Sequence, residues 1–280
     1  MISDEQSFEN LAKKIEDKIS FDKYDLIQLN SQLFLKVAEE KARIFTIHTN
    51  PFEYKLDWGE ISFEIMLKLM YKESTMEKTY FVTPSKYYAN LYKDLSNTNI
   101  YFIPHAIDVS RITSYNDRNQ ILDKMNIEQN KKIILLPSRL EPIQKQPMLF
   151  MKAFALLDDN IKSNYKVICT GKDKQYEQFM DDILNFCQKN NIDILIDRFD
   201  KMSYGYKVAD IVMLPSKSES FGYSALEALS LGIVTILNNI PTYKEIVDGA
   251  KNYYLFDNSV ESLNEVLKEV LIKKIDSSNK

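Results

Sequence analysis

At 280 residues, 45% of them hydrophobic and 12% aromatic, the chain has the length and apolar content for one large or two medium domains. Its net charge of −4, with 27% charged residues, leaves no basic footprint and argues against nucleic acid as a partner. No apolar run approaches the roughly 20 residues that a bilayer-spanning helix needs. The N-terminus, Met-Ile-Ser-Asp-Glu-Gln-Ser, carries neither the basic nor the apolar part of a secretory signal. Cys169 and Cys187 have no ligand-like spacing and are expected as a buried strand thiol and a helix residue, which predicts a reduced, cytoplasmic protein. Peripheral contact with a membrane surface stays open.

The chain opens on an acidic helix. Apolar runs at 24–29, 43–48, 79–83 and 99–103 then alternate with helical stretches. One of these, 58–73, places Ile61, Ile65 and Leu69 on a single face. Asp108 to Asn130 is polar and reads as a linker. From Lys131 the alternation becomes regular, with strands at about 132–137, 165–170, 192–196, 210–214, 233–237 and 253–256. Helices are expected between them near 145–157, 173–190, 203–208, 221–231 and 242–247, with a last amphipathic one at 259–274. Such alternation predicts an α/β fold with parallel sheets. The expected organisation is a partial Rossmann-like domain over 1–107, a linker over 108–130, a complete Rossmann-like domain over 131–258, and a C-terminal helix and tail over 259–280.

The most informative stretch runs from Leu214 to Thr235, LPSKSESFGYSALEALSLGIVT, where Glu219 and Glu227 are separated by seven residues. An apolar strand gives way to a polar loop, and a helix opens near Phe221-Gly222. One glutamate stands just before the helix and the other lies two turns inside it. In α/β sheets ligands gather beyond the carboxyl ends of strands, where helix N-termini offer unpaired N–H groups and a favourable dipole to phosphate. Glu227 is then placed to accept from the two hydroxyls of a ribose diol. The purely structural alternative is that Ser216–Glu219 and Ser224–Glu227 are capping boxes, whose S-x-x-E spacing both fit.

This segment resembles the E-x7-E signature of the family 4 retaining glycosyltransferases with the GT-B fold. The resemblance implies that Glu219 faces the transferred sugar, that Glu227 holds the ribose, and that the amides of Phe221 and Gly222 contact sugar or diphosphate. Leu135-Leu-Pro-Ser-Arg139-Leu-Glu-Pro-Ile-Gln-Lys145 is similar to the family's strand followed by an Arg and Lys pair that neutralises the diphosphate, with six residues from Arg to Lys where the family has five. Gly171, directly after the strand Tyr165–Thr170, adjoins the same crevice; its alternative is a plain strand-to-helix turn. Lys172 and Arg198 follow strand ends as well, and each reads equally as a solvated charge.

His48 closes the apolar strand Arg43-Ile-Phe-Thr-Ile-His48, and the resemblance implies a histidine that approaches the donor sugar. His105, in Ile103-Pro-His-Ala-Ile-Asp108, matches the family's P-N-G-[VI]-D turn with His and Ala replacing Asn and Gly. It reads as structural variation, with Asp108 as a turn or cap residue. The strand and glycine-rich turn that begin the family pattern have no counterpart before Tyr24, so the N-terminal domain is expected to be incomplete.

The resemblance thus implies a GT-B-like hexosyltransferase. It moves a sugar from a nucleotide diphosphate-sugar, UDP-linked by expectation, to an acceptor hydroxyl with retention of configuration. Two cations and a helix N-terminus facing the phosphates predict no metal, and no cofactor beyond the donor is called for. The alternative is a catalytically incomplete subunit, or the product of a truncated gene, that binds nucleotide-sugar and relies on a partner subunit.

Overall fold

The computed structural model describes residues 5–48, 60–171, 174–197, 199 and 201–278. The chain divides into two compact units, Met1–Ala106 and Ile107–Lys280. Among the described residues no helix is long and apolar enough to cross a membrane.

The first unit holds a parallel sheet of β1 (Leu26–Leu29), β2 (Ala42–Thr46), β3 (Thr79–Thr83) and β4 (Ile100–Phe102), paired in chain order. Three longer helices accompany it: α1 (Glu5–Glu16), α2 (Glu60–Ser74) and α3 (Lys86–Ser96). Phe8 and Ala12 of α1, Met66, Leu69 and Met70 of α2, and Tyr88 and Tyr92 of α3 bury their apolar faces with Phe45 and Phe81 of the sheet. Within this core lies a charge pair. Arg43 and Glu73 are both fully buried, with Arg43 Nη2 2.6 Å from Glu73 Oε2. The guanidinium also donates to the Leu35 carbonyl at 2.8 Å and to Thr79 Oγ1 at 3.1 Å, and Lys36 Nζ reaches the other carboxylate oxygen at 2.9 Å.

The second unit begins with two short helices, α4 (Val109–Ile112) and α5 (Arg118–Lys124), inside the segment expected to be a polar linker. Asp108 caps the first by accepting from Ser110 N, and Asp117 caps the second by accepting from Asn119 N and Gln120 N. Ile121, Leu122 and Ile127 join the core, so 108–130 is a folded part of this unit and not a tether. The polar residues that suggested a linker are helix caps and exposed faces.

Six parallel strands follow: β5 (Lys132–Arg139), β6 (Tyr165–Gly171), β7 (Ile194–Ile196), β8 (Ile211–Leu214), β9 (Val234–Asn238) and β10 (Tyr253–Phe256). Their order across the sheet is β10-β9-β8-β5-β6-β7. Chain direction across the sheet reverses between β5 and β8, whose Ile134 and Leu135 pair with Ile211 and Val212. Both faces of the inner strands β5, β8 and β9 are largely buried, as a sheet covered on two sides requires, while the edge strands β7 and β10 are half-buried. Ile134, Leu136, Ile211 and Met213 face one core, with Phe150 and Phe154 of α6 (Pro147–Ala155), Ile183 and Cys187 of α8 (Glu177–Lys189), and Leu263 and Leu267 of α12 (Val260–Ser278). A four-residue helix, α7 (Asp159–Lys162), leads into β6. On the other side Ile133, Leu135, Val212 and Leu214 pack with α9 (Met202–Val208), α10 (Tyr223–Ser230) and α11 (Pro241–Val247). The expected C-terminal helix therefore closes the core of the second unit. Cys169 of β6 and Cys187 of α8 are both buried free thiols, and burial pushes the Cys187 thiol up to about 12.

Candidate donor-binding site at the switch point of the second sheet

Open α/β sheets bind ligands at the carboxyl ends of strands where the order reverses. Here that point is the gap between the ends of β5 and β8. A cavity of about 270 Å³ lies there, lined by Pro137, Ser138, Arg139, Lys145, Leu214, Glu219, Ser220, Gly222, Tyr223 and Ser224.

Arg139 reaches the cavity because β5 is irregular at its end: the register with β6 shifts between Leu136 and Arg139, and Arg139 then pairs with Gly171. A Cβ on Gly171 would sit 2.1 Å from the Ser138 carbonyl oxygen and 2.3 Å from the Arg139 Cα. Only glycine lets the two strands close there. Gly171 does not line the cavity; its bare Cα shapes the backbone that carries Arg139. Gly171→Ala is expected to lower the free energy of unfolding by about 2–3 kcal/mol in urea titration, since backbone cannot retreat as a flexible side chain can.

Lys145 stands on the loop between β5 and α6. Its Nζ lies 2.6 Å from Glu219 Oε1, and both side chains are largely shielded, at 13% and 14% exposure. The six-residue spacing from Arg139 is absorbed by Glu141, whose carboxylate accepts from the backbone N–H of Ile143 at 2.9 Å, of Gln144, and of Lys145 at 3.1 Å. The loop is also stitched to the segment after β8: Lys217 N donates to the Gln144 carbonyl at 2.7 Å. These ties bring the ammonium to the cavity despite the extra residue.

Neither capping box forms. Gly222 is the residue that starts α10, at φ 95° and ψ 53°, and it brings no side chain to cap the helix. This left-handed conformation favours glycine, and a Cβ there would come 2.8 Å from Cε1 of Tyr243. Ser224 Oγ instead donates to the Pro137 carbonyl at 3.0 Å, tying the first turn of α10 to β5. Glu219 accepts from Lys145 and, at 3.2 Å, from the Tyr243 hydroxyl. Glu227 accepts from the Tyr206 hydroxyl at 2.5 Å. Phe221 is buried, with Tyr223 edge-on at 5.2 Å between centroids, so its ring serves the core.

Arg139, Lys145, Glu219 and Gly222 thus line one cavity, whereas Phe221 borders it through its sequence neighbours Ser220 and Gly222 and Gly171 through Arg139 across the sheet; Glu227, inside α10, is not among the lining residues. Lys172 and Arg198 lie outside the described residues. His48 belongs to the first unit, just beyond β2, where its ring stacks on His105 with centroids 5.3 Å apart and planes 20° from parallel. Burial lowers the pKa of both imidazoles, and the neighbouring His48 lowers that of His105 further, so both favour the neutral form.

Sequence reasoning missed Glu141, Tyr206 and Tyr243. Each acts through a long-range or backbone contact that no local spacing announces. The one available signal for Glu141 was the extra residue itself, which the loop had to accommodate.

The sequence pattern of the family described as Glycosyl transferases group 1 matches residues 117–280, more than half of the chain. The chain belongs to the group 1 glycosyltransferases. Its curated relatives include two proteins named D-inositol 3-phosphate glycosyltransferase. The one from Corynebacterium jeikeium is 29% identical over 174 residues, 59% of this chain and 41% of that protein. The one from Geodermatophilus obscurus is 25% identical over 145 residues, 46% of this chain and 30% of that protein. The chain spans less than half the length of these relatives. Among solved structures, sucrose-phosphate synthase from Thermosynechococcus elongatus superposes with a TM-score of 0.76 at 18% identity, covering 96% of this chain and 70% of that one. Anabaena HepE in complex with UDP-glucose gives a TM-score of 0.75 at 15% identity, covering 96% and 73%. At these identities the likeness establishes the fold: the group 1 chain has the two parallel sheets of the GT-B architecture.

Proposed function

We propose that this group 1 glycosyltransferase transfers a sugar from a UDP-sugar to an acceptor hydroxyl with retention of anomeric configuration. The observation that carries the reading is the convergence of Arg139, Lys145, Glu219 and the start of α10 on one cavity at the switch point of the second sheet. Two cations and the amides of a helix start suit a diphosphate. As the sugar–phosphate bond breaks, negative charge grows on the leaving diphosphate, and donors already in place stabilise it without reorganising. Such a site has no need of a divalent cation to neutralise the phosphates. Glu219, held by Lys145, presents its second oxygen to the sugar, and Glu227 takes the ribose diol. Neutral His48 serves as a hydrogen-bonding group for a sugar hydroxyl. In a front-face reaction the leaving phosphate takes the acceptor's proton, which removes the need for a separate protein base.

The crystallised neighbour HepE was solved with UDP and with UDP-glucose, which supports the choice of base. The test is calorimetric titration of the full chain with UDP. Glu227→Ala is expected to weaken binding by about tenfold, the scale of hydrogen bonds to a charged partner. A wild-type chain that binds UDP no better than Glu227→Ala and Arg139→Ala refutes the site. Release of the sugar from UDP-sugar only when an acceptor is supplied would separate transfer from simple donor binding.

A further inference from the structure

We propose that Tyr206 is a positioning residue for ribose recognition: its buried hydroxyl holds Glu227 in the one rotamer that can grip a diol, and so sets the preference for ribose over deoxyribose. This rests on the donor-site reading above. Tyr206 sits on α9, a different helix from Glu227, and is only 3% exposed. Its hydroxyl donates to Glu227 Oε2 at 2.5 Å and leaves Oε1 as the open oxygen of that carboxylate among the described residues. A diol needs two acceptor sites on a carboxylate whose direction is fixed. Glutamate has three rotatable side-chain bonds, and fixing them in advance spares the ligand that entropic cost. The phenol keeps its proton and so donates to the carboxylate, because burial first and the charge of Glu227 second hold its pKa far above the ordinary value.

A second buried phenol provides the comparison. Tyr243, on α11 and 1% exposed, donates to Glu219 at 3.2 Å, so it serves the other glutamate. Neither tyrosine lines the cavity. If buried tyrosines served only to satisfy their own hydroxyls with the nearest acceptor, removing either hydroxyl would act through stability alone.

The experiment titrates UDP and 2′,3′-dideoxy-UDP into the full-length wild type and the Tyr206→Phe, Tyr243→Phe and Glu227→Gln variants, with thermal melting recorded for each. Phenylalanine keeps the ring and its packing, so all variants are expected to fold. In Tyr206→Phe, UDP should weaken by about fivefold while the dideoxy analogue is unchanged, and Glu227→Gln should do the same more strongly. Tyr243→Phe should retain the wild-type preference for UDP over the analogue. The proposal is overturned if Tyr206→Phe keeps that preference while Glu227→Gln loses it, or if both phenylalanine variants weaken the two ligands equally. A wild type that binds UDP and its dideoxy analogue alike overturns the donor-site reading, and this proposal with it.

Discussion

Alanine at Arg139 is expected to weaken UDP binding by about thirtyfold, the largest loss at any single position of the site. The residue is exposed at the end of β5, at the mouth of a cavity where the strand order reverses, and a guanidinium there can meet phosphate with two parallel donors. Lys145 is already matched to Glu219 at 2.6 Å, so part of its charge is answered within the protein. Lys145→Ala should therefore cost less than Arg139→Ala. Titrations at two salt concentrations check the assignment, because a lost phosphate contact also flattens the salt dependence of binding. An Arg139→Ala variant with wild-type affinity and wild-type salt dependence would remove the arginine from the site.

The largest stability effect is expected in the first unit. Glu73→Ala should lower the free energy of unfolding by about 3–5 kcal/mol, because it strands a guanidinium with no path to water. Arg43 is wholly buried, and among the described residues its Nε already lacks a partner. Loss of Glu73 would leave the charge with uncharged neighbours: the Leu35 and Val37 carbonyls, Thr79 Oγ1, the Met76 sulfur and the Phe45 ring. Replacing both residues together, Arg43→Met with Glu73→Leu, should cost far less than Glu73→Ala alone, since removing both charges removes the desolvation penalty. Urea unfolding of the three variants measures the difference. Equal losses in the single and double variants would show that packing, and not stranded charge, sets the cost.

What the amino-acid order revealed was what repeats with a period. Ten strands were readable as short apolar runs, and the six of the second unit fell within a residue or two of the expected bounds. The E-x7-E spacing put one glutamate before a helix and one inside it. Serine-to-glutamate spacing could not say which of two roles those residues play, and the outcome turned on distant partners: Pro137 for Ser224, Tyr206 for Glu227, Lys145 and Tyr243 for Glu219. Arg43 reads in sequence as the polar opening of a strand, yet it is fully buried, because an equally buried partner, Glu73, lies thirty residues away at the end of α2. The segment 108–130 misled for a related reason. Asp108 and Asp117 are helix caps, Asn119 and Asp123 lie within the second helix, and the few apolar side chains among them suffice to dock two short helices. Gly171 looked like a ligand-side glycine until the opposing backbone of Ser138 and Arg139 was in view.

The closed turn at Glu141 also separates two demands on one short loop. Its shape is fixed by a carboxylate bound to its own backbone amides, so it does not depend on which side chains stand at the tip, where Ile143 is 71% exposed. The outer surface of that loop is free to diverge between descendants of this sequence while the ammonium behind it stays at a constant address.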